Sequence, residues 1–156
     1  MRGFFSGKIL LSKLFLSVGI TGGTILLSAN HALADRFTEQ VGIQLVAAAR
    51  QAGYQGYKVS HEPFIGDLGN GGEDSITINL ERGASYLITA VCDEDCRDID
   101  LALYDDNGNL IASDVQKDDH PVIAVTPRWS VRYVIRVYMA QCSNAPCRYG
   151  IGTFGH

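Results

Sequence analysis

Four cysteines and a crowd of carboxylates are the residues of this chain best suited to chemistry. Cys92 and Cys96 enclose Asp93, Glu94 and Asp95, and Cys142 and Cys147 enclose residues 143–146. Four thiolates at such spacings are one set from which a tetrahedral zinc site can be built. The acids crowded around the first pair, and the export argued below, favour disulfides instead. A C-x-x-C redox motif is absent, because three residues separate the first pair and four the second. Local pairing, Cys92–Cys96 and Cys142–Cys147, and crossed pairing between the two loops are both open. Chain entropy favours crossing, at about 4 kcal/mol for a loop of about 56 residues against about 2 kcal/mol for one of about five. The segment CSNAPC reads as a hairpin with four loop residues, whose flanking cysteines face each other, and this favours the local pairs.

Ten of the 17 acids lie between Asp93 and Asp119. Asp98 and Asp100 stand two apart on an expected strand, so both carboxylates point to one face. Carboxylates so placed repel unless a cation or an arginine intervenes. Calcium, a hard ion that takes six to eight oxygens, suits them better than zinc. The stretch lacks the central glycine and closing glutamate of an EF-hand loop. The plainer reading is a solvated acidic rim with Arg97 and neighbouring arginines as partners. Ser75, His61 and an aspartate supply the residue types of a triad, yet no serine lies in a nucleophile-elbow motif, so no enzyme activity is expected. Trp129, Tyr104, Tyr138 and Tyr149 are candidates for a binding face, against the simpler role of packing.

The elements that must position these residues follow from the pattern. Arg2, Lys8 and Lys13 precede an uncharged stretch from Leu14 to Ala34 that ends in Ala32-Leu33-Ala34. This is the order of a signal peptide cleaved after residue 34. Cleavage leaves ten Lys and Arg against 17 Asp and Glu, hence a net charge of −7. Such a surface repels nucleic acid and anionic lipid, and no membrane insertion is expected after cleavage. Residues 35–53 carry one apolar stripe, Phe37, Val41, Leu45, Ala48 and Ala52, and read as a helix with Gly53 as a stop. Residues 54–75 read as a connecting loop with a short extended piece near Tyr57–Val59. From residue 76 to 156 the period is two. Ile99, Leu101 and Leu103 alternate with Asp100, Ala102 and Tyr104, and Val131, Tyr133, Ile135, Val137 and Met139 with Arg132, Val134, Arg136 and Tyr138. Asn107-Gly108 marks a hairpin turn. About seven strands result, which predicts a mainly β fold, an antiparallel sandwich preceded by one N-terminal α-helix.

The ordered series from Ile76 to Met139 resembles the bacterial pre-peptidase C-terminal domain, a family similar to collagen-binding domains. The residues that carry it are the first strand with its Gly83 turn, Asp98-Ile99-Asp100-Leu101, the segment DDNGN and the strand YVIRV. The resemblance spans roughly Asp74 to Phe154. It implies a jelly-roll-like sandwich, secretion and an accessory role beside proteases, and some members bind calcium. The helix and both cysteine loops depart from the family's pattern, and no peptidase domain accompanies them in this sequence. Two function classes follow. One is a secreted or periplasmic non-catalytic module that binds an envelope protein or polymer. The other is a stand-alone structural envelope protein stabilised by disulfides and calcium.

Overall fold

The computed structural model describes residues 28–156, with side chains from residue 36 onward. One helix, α1 (Ser28–Tyr54), is followed by nine strands: β1 (Lys58–Val59), β2 (Phe64–Leu68), β3 (Glu73–Leu80), β4 (Tyr86–Cys92), β5 (Cys96–Tyr104), β6 (Leu110–Asp114), β7 (Val122–Val125), β8 (Val131–Cys142) and β9 (Cys147–Gly155). They form two antiparallel sheets. Sheet I has the order β1-β9-β4-β7, with β2 also paired to β9, and sheet II has the order β3-β8-β5-β6. Most of the leader expected over residues 1–34 lies outside the described residues.

The alternation read from β5 and β8 is the alternation of burial. Ile99, Leu101, Leu103, Ile135, Val137 and Met139 are all fully buried between the sheets. Their neighbours in sequence face outward, which follows from the two-residue period of a strand. Ile88, Ala90, Tyr149 and Ile151 close the core from sheet I. The β5–β6 hairpin turns at Asn107-Gly108. Gly108 takes a φ of +80° there, a conformation that costs glycine nothing.

Three boundaries differ from the reading of the sequence. The helix begins at Ser28, inside the expected leader, and not at residue 35, and it runs to Tyr54, past Gly53; the left-handed residue beyond it is Gly56. Residues 54–75 are not one connector, because β1 and β2 both lie in them and pair with β9. Their sequence shows no clean alternation. They are strands because they cover an edge of β9 that would otherwise leave backbone groups unpaired. Finally, CSNAPC is not a hairpin between paired strands, since β8 belongs to sheet II and β9 to sheet I.

Helix α1 lies on the outer face of sheet I. Val41 and Leu45 form a small cluster with Val91, apart from the main core. They settle over β9 where its side chains stop: a Cβ added to Gly150 would stand 2.6 Å from Val41 Cγ1 and 2.8 Å from Leu45 Cδ1. The outer face of sheet II carries no such cover among the described residues.

Candidate functional site

Both disulfides are local, Cys92–Cys96 and Cys142–Cys147. Each joins a strand of one sheet to a strand of the other, β4 to β5 and β8 to β9. The sandwich is therefore clamped twice at one end, where Cys96 stands opposite Cys142. The acids between the first two cysteines serve the clamp. Asp93 is only 1% exposed. Its carboxylate accepts from the backbone N–H of Asp95 at 3.0 Å, of Cys96 at 3.3 Å and of Arg148 at 2.6 Å. The Asp93 and Arg148 backbones meet as well, through Asp93 N–H and Arg148 C=O at 3.0 Å. The Asp95 carbonyl accepts from both the N–H and the hydroxyl of Ser143. Glu94 faces α1, paired with Arg36 at 2.7 Å. The opening motif is thus a structural latch that ties the two cysteine loops to each other and the first of them to the helix.

Asp98 and Asp100 lie on β5 just beyond that latch, where the register against β8 shifts twice. Asp98 Oδ1 is buried and has no hydrogen-bond partner. Burial, and then the charges of Asp98, Asp114 and Asp118, push the Asp100 carboxyl above its ordinary value. Its ionised form is therefore less favourable in the folded chain than in the unfolded one. That penalty is present at neutral pH and fades as pH falls through the folded pKa. A bound cation would relieve both carboxylates. Among the described residues, no three His, Cys, Asp or Glu side chains are grouped to hold a metal. Any such ion would need backbone oxygens or water besides Asp98 and Asp100.

The four aromatics go to three places. Tyr104 and Tyr138 lie on the outer face of sheet II, opposite Val134 and Asp100 respectively. Between them Arg136 stacks on the Tyr104 ring, 4.6 Å from its centroid, and pairs with Glu73 at 3.0 Å. Trp129 is in the β7–β8 loop at the end away from the disulfides, two-thirds exposed. Tyr149 belongs to no binding face. It is fully buried, donates to Asp74 Oδ2 at 2.7 Å, and has its hydroxyl pKa pushed up by burial and by that carboxylate. Ser75 and His61 are not brought together as a triad: His61 contacts the Ser60 hydroxyl and the Asn79 carbonyl. Asp93 and Arg136 are the residues that the sequence reading missed. Arg136 was readable as an outward position of β8, whereas no local signal separates Asp93 from its acidic neighbours.

No family model matches this chain, and no curated protein matches it. Among solved structures, it is similar to a pre-peptidase C-terminal domain. That structure is the 1.0 Å crystal structure of the domain from a Bacillus anthracis collagenase, 20% identical, covering 59% of this chain and 87% of that one with a TM-score of 0.46. The fold described above rests on its own sheets and pairings, independently of that likeness.

Proposed function

We propose that this chain is an exported, non-catalytic binding module, secreted or periplasmic, which engages an envelope protein or polymer through the outer face of sheet II. The carrying observation is an asymmetry. Sheet I is covered by α1, while sheet II displays Tyr104, Arg136 and Tyr138 on a surface that no other described element covers. Aromatic and arginine side chains are the types most often responsible for binding energy at interfaces. Two disulfides at one end suit an oxidising compartment, and the leader-like residues 1–34 suit export. An accessory role beside a protease is the form suggested by the family resemblance.

The test uses protein recovered from the host envelope, whose first residue is expected to be Asp35. A stoichiometric partner should be captured by the wild type and lost on Tyr104→Ala with Tyr138→Ala, at an unchanged melting temperature. Capture that survives both substitutions, or a chain still carrying residues 1–34, refutes this reading.

Calcium is proposed as a stabilising ion held by Asp98 and Asp100. An ion that binds only the folded state adds about 2.7 kcal/mol at a hundredfold excess over its dissociation constant, which raises the melting temperature by several degrees. Asp100→Asn should behave oppositely in two buffers. Without metal it raises the melting temperature at neutral pH, because the unfavourable carboxylate is gone, and the gain disappears near about pH 4. With calcium it removes most of the ion-induced rise. Equal responses to calcium and magnesium at matched ionic strength, or a calcium response unchanged in Asp100→Asn, sink the calcium proposal and leave the binding module untouched.

A further inference from the structure

The end of the sandwich away from the disulfides is open. A cleft of about 700 Å³ lies there between the β5–β6 turn and the β7–β8 loop. Its volume is within the range of ligand sites. Three features show how the sequence builds it. The register of β6 against β5 passes from Ala112 opposite Leu103 to Leu110 opposite Tyr104, which leaves Ile111 unmatched. A bulge of this kind re-aims a side chain, and Ile111 lines the cleft. Asp105 fixes the turn, with its carboxylate accepting from Asn107 N–H, Asn109 N–H and Asn109 Nδ2. Val125 and Val131, at the margin of the core, complete the apolar floor with Ile111.

The polar groups left over are sorted by wall. On the turn, one Asp106 oxygen accepts from Asn107 Nδ2 at 3.3 Å, and the other has no hydrogen-bond partner among the described residues. On the loop stand Arg128 and Trp129, both lining the cleft. Among the described residues, neither the guanidinium nor the indole N–H has a hydrogen-bond or ion-pair partner. One wall therefore accepts, the other donates, and the floor between them is aliphatic.

A ligand that satisfies all three presents a cation or donor, a carbonyl and an apolar branch. A peptide does so with a basic side chain, a backbone carbonyl and a Leu- or Val-like side chain. A sugar offers hydroxyls to both walls but no branch for the floor. An anion meets the Asp106 carboxylate on the turn and a chain of net charge −4. We propose that this cleft binds an extended peptide segment in which an apolar residue stands beside a lysine or arginine. The site is separate from the Tyr104–Tyr138 face, so the two assignments stand or fall independently.

Trp129 is the single tryptophan of the protein, so its emission reports this cleft alone. The probes are a pooled set of amidated, acetylated pentapeptides with a central Leu, Val or Phe flanked by lysines, the same peptides with glutamates for lysines, and chitotetraose. The full exported protein is expected to show a saturable blue shift with at least one lysine peptide. The matching glutamate peptide should bind roughly threefold more weakly, as expected for the one surface ion pair with Asp106 lost. Asp106→Asn should weaken lysine-peptide binding severalfold, with an unchanged melting temperature and an unchanged response to Tyr138→Ala. Calorimetry on Trp129→Ala should show binding lost. The proposal is overturned by no shift at millimolar peptide, by equal responses to lysine and glutamate peptides, by an undiminished affinity in Asp106→Asn, or by a response to chitotetraose alone.

Discussion

Asp93→Ala is expected to be the most damaging single substitution on the acidic stretch. Three backbone N–H groups, those of Asp95, Cys96 and Arg148, lose a buried carboxylate acceptor at once. Hydrogen bonds to a charged group are individually strong, and a donor left buried and unpaired adds its own desolvation cost. Allowing for partial repair by water, the loss is on the order of 3 kcal/mol, and the melting temperature should fall by roughly 10 °C for a domain of this size. Asp95→Ala is the internal control. It removes the same charge from the same loop, but Asp95 holds Ser143 through its backbone carbonyl, and its side chain reaches only Asn144 at 3.4 Å. That substitution should cost less than about 1 kcal/mol. Thermal unfolding of both variants, with thiol titration to show that the disulfides remain closed, makes the comparison. Similar small effects from the two would mean that Asp93 is no latch.

The contrast between these neighbours explains what the sequence discloses and what it conceals. Periodicity reports which face of an element is apolar. It therefore exposed the inner residues of β5 and β8, the stripe on α1 and the sandwich they imply. It also located Tyr104 and Tyr138 on outward positions. It does not report which distant backbone a side chain will meet. Asp93 is distinguished by Arg148, 55 residues away, and nothing local marks it among three consecutive acids. The expected repulsion within that acidic cluster is relieved at this one position by burial against N–H donors.

β1 and β2 were hidden for a related reason. Phe64, Gly66 and Leu68 are half-buried against β9, with Ile65 and Asp67 exposed between them. An alternation interrupted by glycine and flanked by turn residues is weak locally. Its partner decides it: Phe64 packs beside Tyr149 at 5.9 Å between ring centroids, and a side chain at Gly66 would collide with the Tyr149 ring at 2.9 Å. The local disulfides followed from a premise that the fold does not share. Their cysteines meet across the gap between the sheets and not across a hairpin, because β4 to β5 and β8 to β9 are two of the connections where the backbone passes from one sheet to the other. Each short loop contributes about 2 kcal/mol through chain entropy, and together they hold the sheet separation at the end from which α1 is also tethered.

Gly150→Val should release that helix while leaving the sandwich folded. Valine is well suited to a strand, and Gly150 does not occupy the left-handed region, so β9 itself tolerates the change. The obstruction is above it. The first added carbon would already lie 2.6 Å from Val41 Cγ1 and 2.8 Å from Leu45 Cδ1, and valine adds two methyl groups beyond it. Val41 is stiff at χ1 and fully buried, so α1 must lift as a body. Lifting it exposes Val41 and Leu45, worth about 1.5–3 kcal/mol each. What remains includes the Arg36–Glu94 pair, the Glu94 N–H donating to Gln40 Oε1, and Gln44 Nε2 donating to the Cys92 carbonyl. Exposed contacts of this kind contribute about 1 kcal/mol or less apiece. The Val41–Leu45–Val91 cluster is separate from the main core, so release of α1 should not propagate through the sheets. Hydrogen exchange is expected to accelerate across residues 36–54 by at least tenfold, the equivalent of about 1.4 kcal/mol of lost protection, with β4, β5 and β8 unchanged. Unchanged protection in α1 would show that the helix is not held by its seat on Gly150.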